Sequence, residues 1–139
     1  MVVLKVPAAL TFRGLATRTV AAVSKVCRVE CGGAALDDSR ENELVSAVGE
    51  AFNNIVIHGH CGGRTGEVTL TISPGSRGLT VELLDHGASF NPEAIPPPNL
   101  DEGQESGMGL FIIRSFVDDL AYEPGPPNRL RLFKAYPPP

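Results

Sequence analysis

Residues 41–58 read ENELVSAVGEAFNNIVIH, and their periodicity is that of a strongly amphipathic helix. At about 100° per residue, Leu44, Val45, Val48, Ala51, Phe52, Ile55 and Val56 share one face. Glu43, Ser46, Glu50, Asn53 and Asn54 share the other, and this polar stripe contains no Lys or Arg. Glu50 and Asn54 lie one turn apart, so their side chains project the same way. A carboxylate stacked on a carboxamide can orient a hydroxyl or a water and can hold a hard cation. Ile57 falls on the same stripe, a position that a simply solvated face would not favour.

The flanking residues delimit this helix. Asp37, Asp38 and Ser39 are N-cap candidates, and Gly59 ends it. Upstream, residues 2–6 (VVLKV) read as a strand stopped by Pro7. Phe12 to Val26 reads as a helix on the spacing of Leu15, Thr19, Ala22 and Val26. Downstream, Val68/Leu70/Ile72 alternate against Thr69/Thr71/Ser73, and Leu79 to Leu84 forms a second strand after the turn at residues 74–78. Residues 91–106 are long, proline-rich and acidic, the composition of a binding loop or lid. Gly107 opens a helix running to about Phe116, and strands follow at 120–122 and 130–135. The order β-α-α-β-β-loop-α-β-β predicts an α+β two-layer sandwich, a mixed and mostly antiparallel sheet covered by helices on one face. Residues 1–136 are expected to form one domain, with 137–139 as a proline tail.

Composition narrows the function. Twelve Lys and Arg against 16 Asp and Glu give a net charge of −4, and the basic residues are scattered. Nucleic acid needs concentrated cations, so it is disfavoured as a main partner. No apolar run is long enough to span a bilayer, and the N-terminal residues lack a signal-peptide pattern, so a soluble cytoplasmic protein is expected. The three cysteines, Cys27, Cys31 and Cys61, argue against a disulfide scaffold. With His58 and His60 they do not make a familiar zinc spacing, and ordinary thiols are the better reading.

Two further segments carry chemistry. Asp85-His86-Gly87 ends an apolar strand, where a carboxylate could read an exocyclic amine and a glycine would let a flat ring approach. Ser106-Gly107-Met108-Gly109 begins a helix whose exposed amides favour anions. Neither the Gly-Lys-Ser/Thr of a P-loop nor a Rossmann turn is present.

In this order, the three segments resemble those of the GHKL ATPase superfamily. Residues 50–59, EAFNNIVIHG, are similar to the first box of its anti-sigma-factor serine kinase branch. Residues 106–113, SGMGLFII, followed by FVDD at 116–119, resemble the third box. The resemblance implies that Asn54 ligates a phosphate-bridging Mg²⁺ and that Glu50 is the general base for an incoming serine. It implies that Asp85 and Gly87 bind adenine, that Gly107, Met108 and Gly109 meet the phosphates, and that Ile57 and His58 line the ATP site. Residues 91–106 correspond to the ATP lid. The implied activity is an ATP-dependent protein-serine kinase that binds a sigma factor, phosphorylates an anti-sigma antagonist and forms a homodimer. The alternative is a catalytically weak nucleotide-sensing module that binds protein. Three departures bear on this choice: Ser89 replaces the second glycine of the second box, the Gly-Thr before the last strand gives way to residues 125–129 (GPPNR), and the lid carries Glu105 with no Lys or Arg.

Overall fold

Alternating apolar and polar residues build the sheet, and the computed structural model describes residues 1–30, 34–59, 66–89 and 108–138. Among these residues, five strands, β1 (Val2–Pro7), β2 (Glu67–Pro74), β3 (Gly78–Asp85), β4 (Asp119–Glu123) and β5 (Asn128–Ala135), lie in the order β1-β2-β3-β5-β4. All four pairings are antiparallel. Val68, Leu70 and Ile72 of β2, Leu79, Val81 and Leu83 of β3, and Leu130 and Leu132 of β5 are buried on the inner face. The opposite face is polar, with Glu82 reaching Arg131 at 3.4 Å and Arg129 at 3.5 Å across the strands. A sheet so patterned buries one face only, as the sequence predicts.

Among the described residues there are three α-helices, α1 (Arg13–Glu30), α2 (Asp38–Asn54) and α3 (Met108–Phe116), and both α1 and α3 pack on α2. Leu44, Val48, Ala51, Phe52 and Ile55 are fully or almost fully buried, as the amphipathic reading requires. Glu41 is also buried, and Lys25 and Arg28 of α1 reach its carboxylate at 2.7 and 3.1 Å. Among the described residues, no helix is long and apolar enough to cross a membrane.

Two helical expectations change. α1 runs to Glu30, and its buried residues are Ala16, Val20, Val23, Ser24 and Cys27. Leu15 and Val26 of the predicted stripe are instead 48% and 58% exposed. The helix is apolar on more than one side, and periodicity alone could not say which side meets the sheet. The second change is at the end of α2: α-helical geometry stops at Asn54, and residues Ile55–Gly59 form a π-helical turn. The expected connector at 60–65 and lid at 91–106 lie outside the described residues.

Asp37 is the N-cap chosen from the three candidates, its Oδ1 accepting the Arg40 N–H at 2.8 Å. That backbone N–H, followed by the Arg40 guanidinium, holds the Asp37 carboxyl below its ordinary value. A lowered carboxylate pKa stabilises the fold above the unfolded value of about 3.9, and the contribution is lost as pH falls through the lower folded value. Asp37→Asn keeps a capping oxygen without the titration, so its thermal stability should fall less steeply with acid than that of the native chain. Melting curves collected between pH 7 and pH 3 check this; identical acid slopes would remove Asp37 from the effect.

Candidate functional site

α2 serves two layers. Its apolar face is core, and Glu50 and Asn54 stand half-buried on the other side. The stripe without local cations receives two from elsewhere. Arg13, at the start of α1, donates from Nε to the Gly49 carbonyl at 3.2 Å, and its Nη2 lies 3.7 Å from Glu50 Oε1. Lys134 of β5, almost wholly buried, bonds Glu43 at 2.6 Å and the Phe116 carbonyl at 2.6 Å. The second contact places an ammonium at the C-terminus of α3, where the helix dipole favours a cation. It also ties together β5, α2 and α3.

The π-helical turn carries the chain from Asn54 to Gly59. Ile57 is 52% exposed there, in keeping with its place on the polar stripe, and His58 is exposed beside it. The Gly59 carbonyl accepts the Ala88 N–H at 3.1 Å, which joins the end of this helix to the turn after β3. A Cβ on Gly59 would lie 3.4 Å from Asp85 Oδ2, a close approach of backbone to carboxylate. The Glu50–His58 and Asp85–Gly87 segments, remote in sequence, therefore meet.

Asp85 is buried at the end of β3, and its register partner is Asn128 on β5. Asp85 Oδ2 accepts the Gly87 N–H at 2.9 Å. Buried Asn128 donates from Nδ2 to the Gly87 carbonyl at 2.9 Å and to Asp85 Oδ2 at 3.4 Å. Its Oδ1 accepts the Gly125 N–H at 2.9 Å and the Ser89 hydroxyl. Two of the departures noted in the sequence thus touch each other. Ser89 stands where a glycine is usual, and Asn128 lies in the segment lacking Gly-Thr. Together they hold the turn that contains Asp85 and Gly87.

A flat amine-bearing base is compatible with this floor, since a buried carboxylate is an acceptor already oriented by backbone and Asn128. The Asn54 carboxamide oxygen is a hard donor of the kind Mg²⁺ takes, usually alongside water and phosphate oxygens. Met108 and Gly109 form the first turn of α3, and Gly107 lies outside the described residues. Among the described residues, no group of three His, Cys, Asp or Glu could hold a metal ion. Cys27 is buried in the core, and Cys31, His60 and Cys61 lie outside the described residues.

The chain matches the family described as "Histidine kinase-like ATPase domain" over residues 14–134. It belongs to that family. This ATPase-type domain is also homologous to anti-sigma-factor kinases. It is 34% identical to the serine/threonine-protein kinase BtrW of Bordetella bronchiseptica over 84 residues, 58% of this chain and 59% of the relative. The serine-protein kinase RsbW of Oceanobacillus iheyensis is 28% identical over 125 residues, 84% of this chain and 75% of the relative. An anti-sigma F factor of Thermoanaerobacter is 30% identical over 99 residues, 66% of this chain and 68% of the relative. The chain thus spans about three fifths of the Bordetella relative and about three quarters of the Oceanobacillus one.

Sequence reasoning missed Arg13, Lys134 and Asn128. The missing Gly-Thr did point to the right segment for Asn128, but nothing local marked the two cations. Replacing Asn128 by Ala removes the partner of both the Gly87 carbonyl and the Gly125 amide. Each lost buried bond costs about 1–3 kcal/mol. Asn128→Ala should therefore lower the unfolding free energy by about 2–6 kcal/mol for the two bonds and weaken ATP binding about tenfold or more. Ser89→Ala should do less. Calorimetric titration with an ATP analogue measures the affinity, and native affinity in a folded Asn128→Ala protein would contradict the assigned role.

Proposed function

We propose that this ATPase-type domain is an ATP-dependent protein-serine kinase that acts as an anti-sigma factor in a partner-switching pathway in the cytoplasm. It would bind a sigma factor and phosphorylate an antagonist protein on serine. The observation that carries the reading is the joining of the Glu50/Asn54 helix face to the Asp85–Gly87 turn through Gly59 and Ala88. Asp85 and Gly87 receive the adenine. The amides of Gly107, Met108 and Gly109 serve the phosphates, and Ile57 and His58 border the nucleotide. Asn54 holds Mg²⁺, whose contribution is to neutralise phosphate charge. Glu50 accepts the serine proton. Phosphoryl transfer depends largely on positioning and charge neutralisation, so the base is required mainly to be well placed.

The assay uses ATP labelled on its γ-phosphate, Mg²⁺, and the acceptor protein recovered by pull-down with this chain, identified by mass spectrometry. Label should appear on serine. Glu50→Gln should lower transfer by about 10²-fold or more, with nucleotide affinity within a few-fold of native. Asn54→Ala should remove the Mg²⁺-dependent part of binding. A folded native protein that binds ATP and transfers nothing would sink the kinase reading. Nucleotide sensing without transfer would then stand, the reading that Glu105 and the cation-free lid favour.

The proposed homodimer has a candidate face. β1 is an edge strand, and beside it a groove of about 580 Å³ runs along α1, lined by Met1, Val2, Ala22 and Val26 with Arg18 and Glu30 at its ends. Edge strands and exposed apolar patches mark association sites. An antiparallel α1 from a second copy would set Ala22 against Val26 and Arg18 against Glu30, each contact made twice by symmetry. Arg18→Glu should dissociate the dimer, and adding Glu30→Arg should restore it, read by sedimentation equilibrium. A native chain that stays monomeric, or an Arg18→Glu chain that stays dimeric, rejects this face.

A further inference from the structure

Glu50 is not left to solvent. Arg13 anchors its Nε on the Gly49 carbonyl at 3.2 Å and brings Nη2 to 3.7 Å from Glu50 Oε1. The guanidinium thus spans two consecutive residues of α2 from a position 36 residues away. It fits only because residue 49 has no side chain: a Cβ there would lie 2.5 Å from Nη2 and 2.8 Å from Cζ of Arg13. A glycine inside a helix is unfavourable by propensity. Here the bare backbone is occupied by a cation.

We propose that Arg13 is a positioning residue for Glu50 and that Gly49 is the opening that admits it. The inference rests on the kinase reading above. Arg stays charged at any working pH, and its rigid planar fork can hold a carbonyl and a carboxylate at once. Docked on the backbone, it fixes the Glu50 carboxylate in one place by pairing with Oε1. Oε2 takes the proton from the acceptor serine. The serine Oγ forms its bond to the γ-phosphorus, the bond from that phosphorus to the β–γ bridging oxygen breaks, and ADP leaves with the electron pair. Positioning matters because a displacement of about 1 Å can cost about a hundredfold in rate.

A purely structural ion pair would behave otherwise. The Arg13 and Glu50 side chains are 40% and 27% exposed, and pairs so solvated add little to stability. Arg13→Ala should therefore leave the melting temperature nearly unchanged and lower kcat about 10- to 100-fold, with the KM for ATP within about twofold. Arg13→Lys should recover part of the loss, since an ammonium cannot bridge both partners. Gly49→Ala tests the opening: alanine favours the helix, so stability should hold or rise while kcat falls as in Arg13→Ala. In the Gly49→Ala background, removing Arg13 should cost nothing further. The Glu50 carboxyl ¹³C resonance, assigned by its loss in Glu50→Gln, should shift in both variants without any acceptor present.

If Glu50→Gln abolishes transfer while Arg13→Ala and Gly49→Ala transfer at the native rate, this inference is overturned and the kinase reading survives. An unmoved Glu50 resonance in both variants overturns it equally. A native protein that transfers nothing removes both.

Discussion

The antiparallel register of β5 against β3 is the constraint on which the helix-covered side of the sheet depends. It sets Asn128 opposite Asp85 and Lys134 opposite Leu79, with Leu130 and Leu132 buried between. Strand side chains alternate, so these four residues share one face. The two polar members sit at its ends. Asn128 holds the turn that bears Asp85, and Lys134 holds the C-terminus of α3 and Glu43 of α2. A slip of one residue would turn both outward and bring Arg129 and Arg131 into the core. The leucines thus fix more than hydrophobic burial: they keep Asn128 in register with the turn that bears Asp85, and Lys134 in register with Glu43 and the C-terminus of α3.

The order of the elements was readable because their signals are local. Alternation in β2 and β3 and the helical period of α2 need no knowledge of what they pack against. The candidate residues Glu50, Asn54, Asp85 and Gly87 were readable because one helix face or one turn carries each set. What could not be read is what the fold brings from a distance. The polar stripe of α2 lacks cations in its own sequence, yet Arg13 and Lys134 reach it from positions 36 and 91 residues away. Glu41, at the first position of the amphipathic stretch, is buried and paired with the α1 cations Lys25 and Arg28.

α1 shows the limit of periodicity. Leu15, Thr19, Ala22 and Val26 match a helical period, and so do Ala16, Val20, Val23 and Cys27. Only the second set meets the core. The chosen packing also brings Lys25 and Arg28 to Glu41 of α2. Of the stripe left over, Thr19, Ala22 and Val26 line the groove beside β1.

The π-helical turn at Ile55–Gly59 has a bearing on how this segment tolerates changes in length. A π turn is an α turn with one residue added. Deleting a residue between Asn54 and Gly59 would let the segment close as ordinary α-helix, and each residue removed rotates the downstream chain by about 100°. The Gly59 carbonyl would then leave the Ala88 amide, and the helix would part from the turn that holds Asp85. These five residues are therefore indexed. A single-codon deletion here would be a change of shape rather than of composition, felt both in the helix and in the turn that bears Asp85.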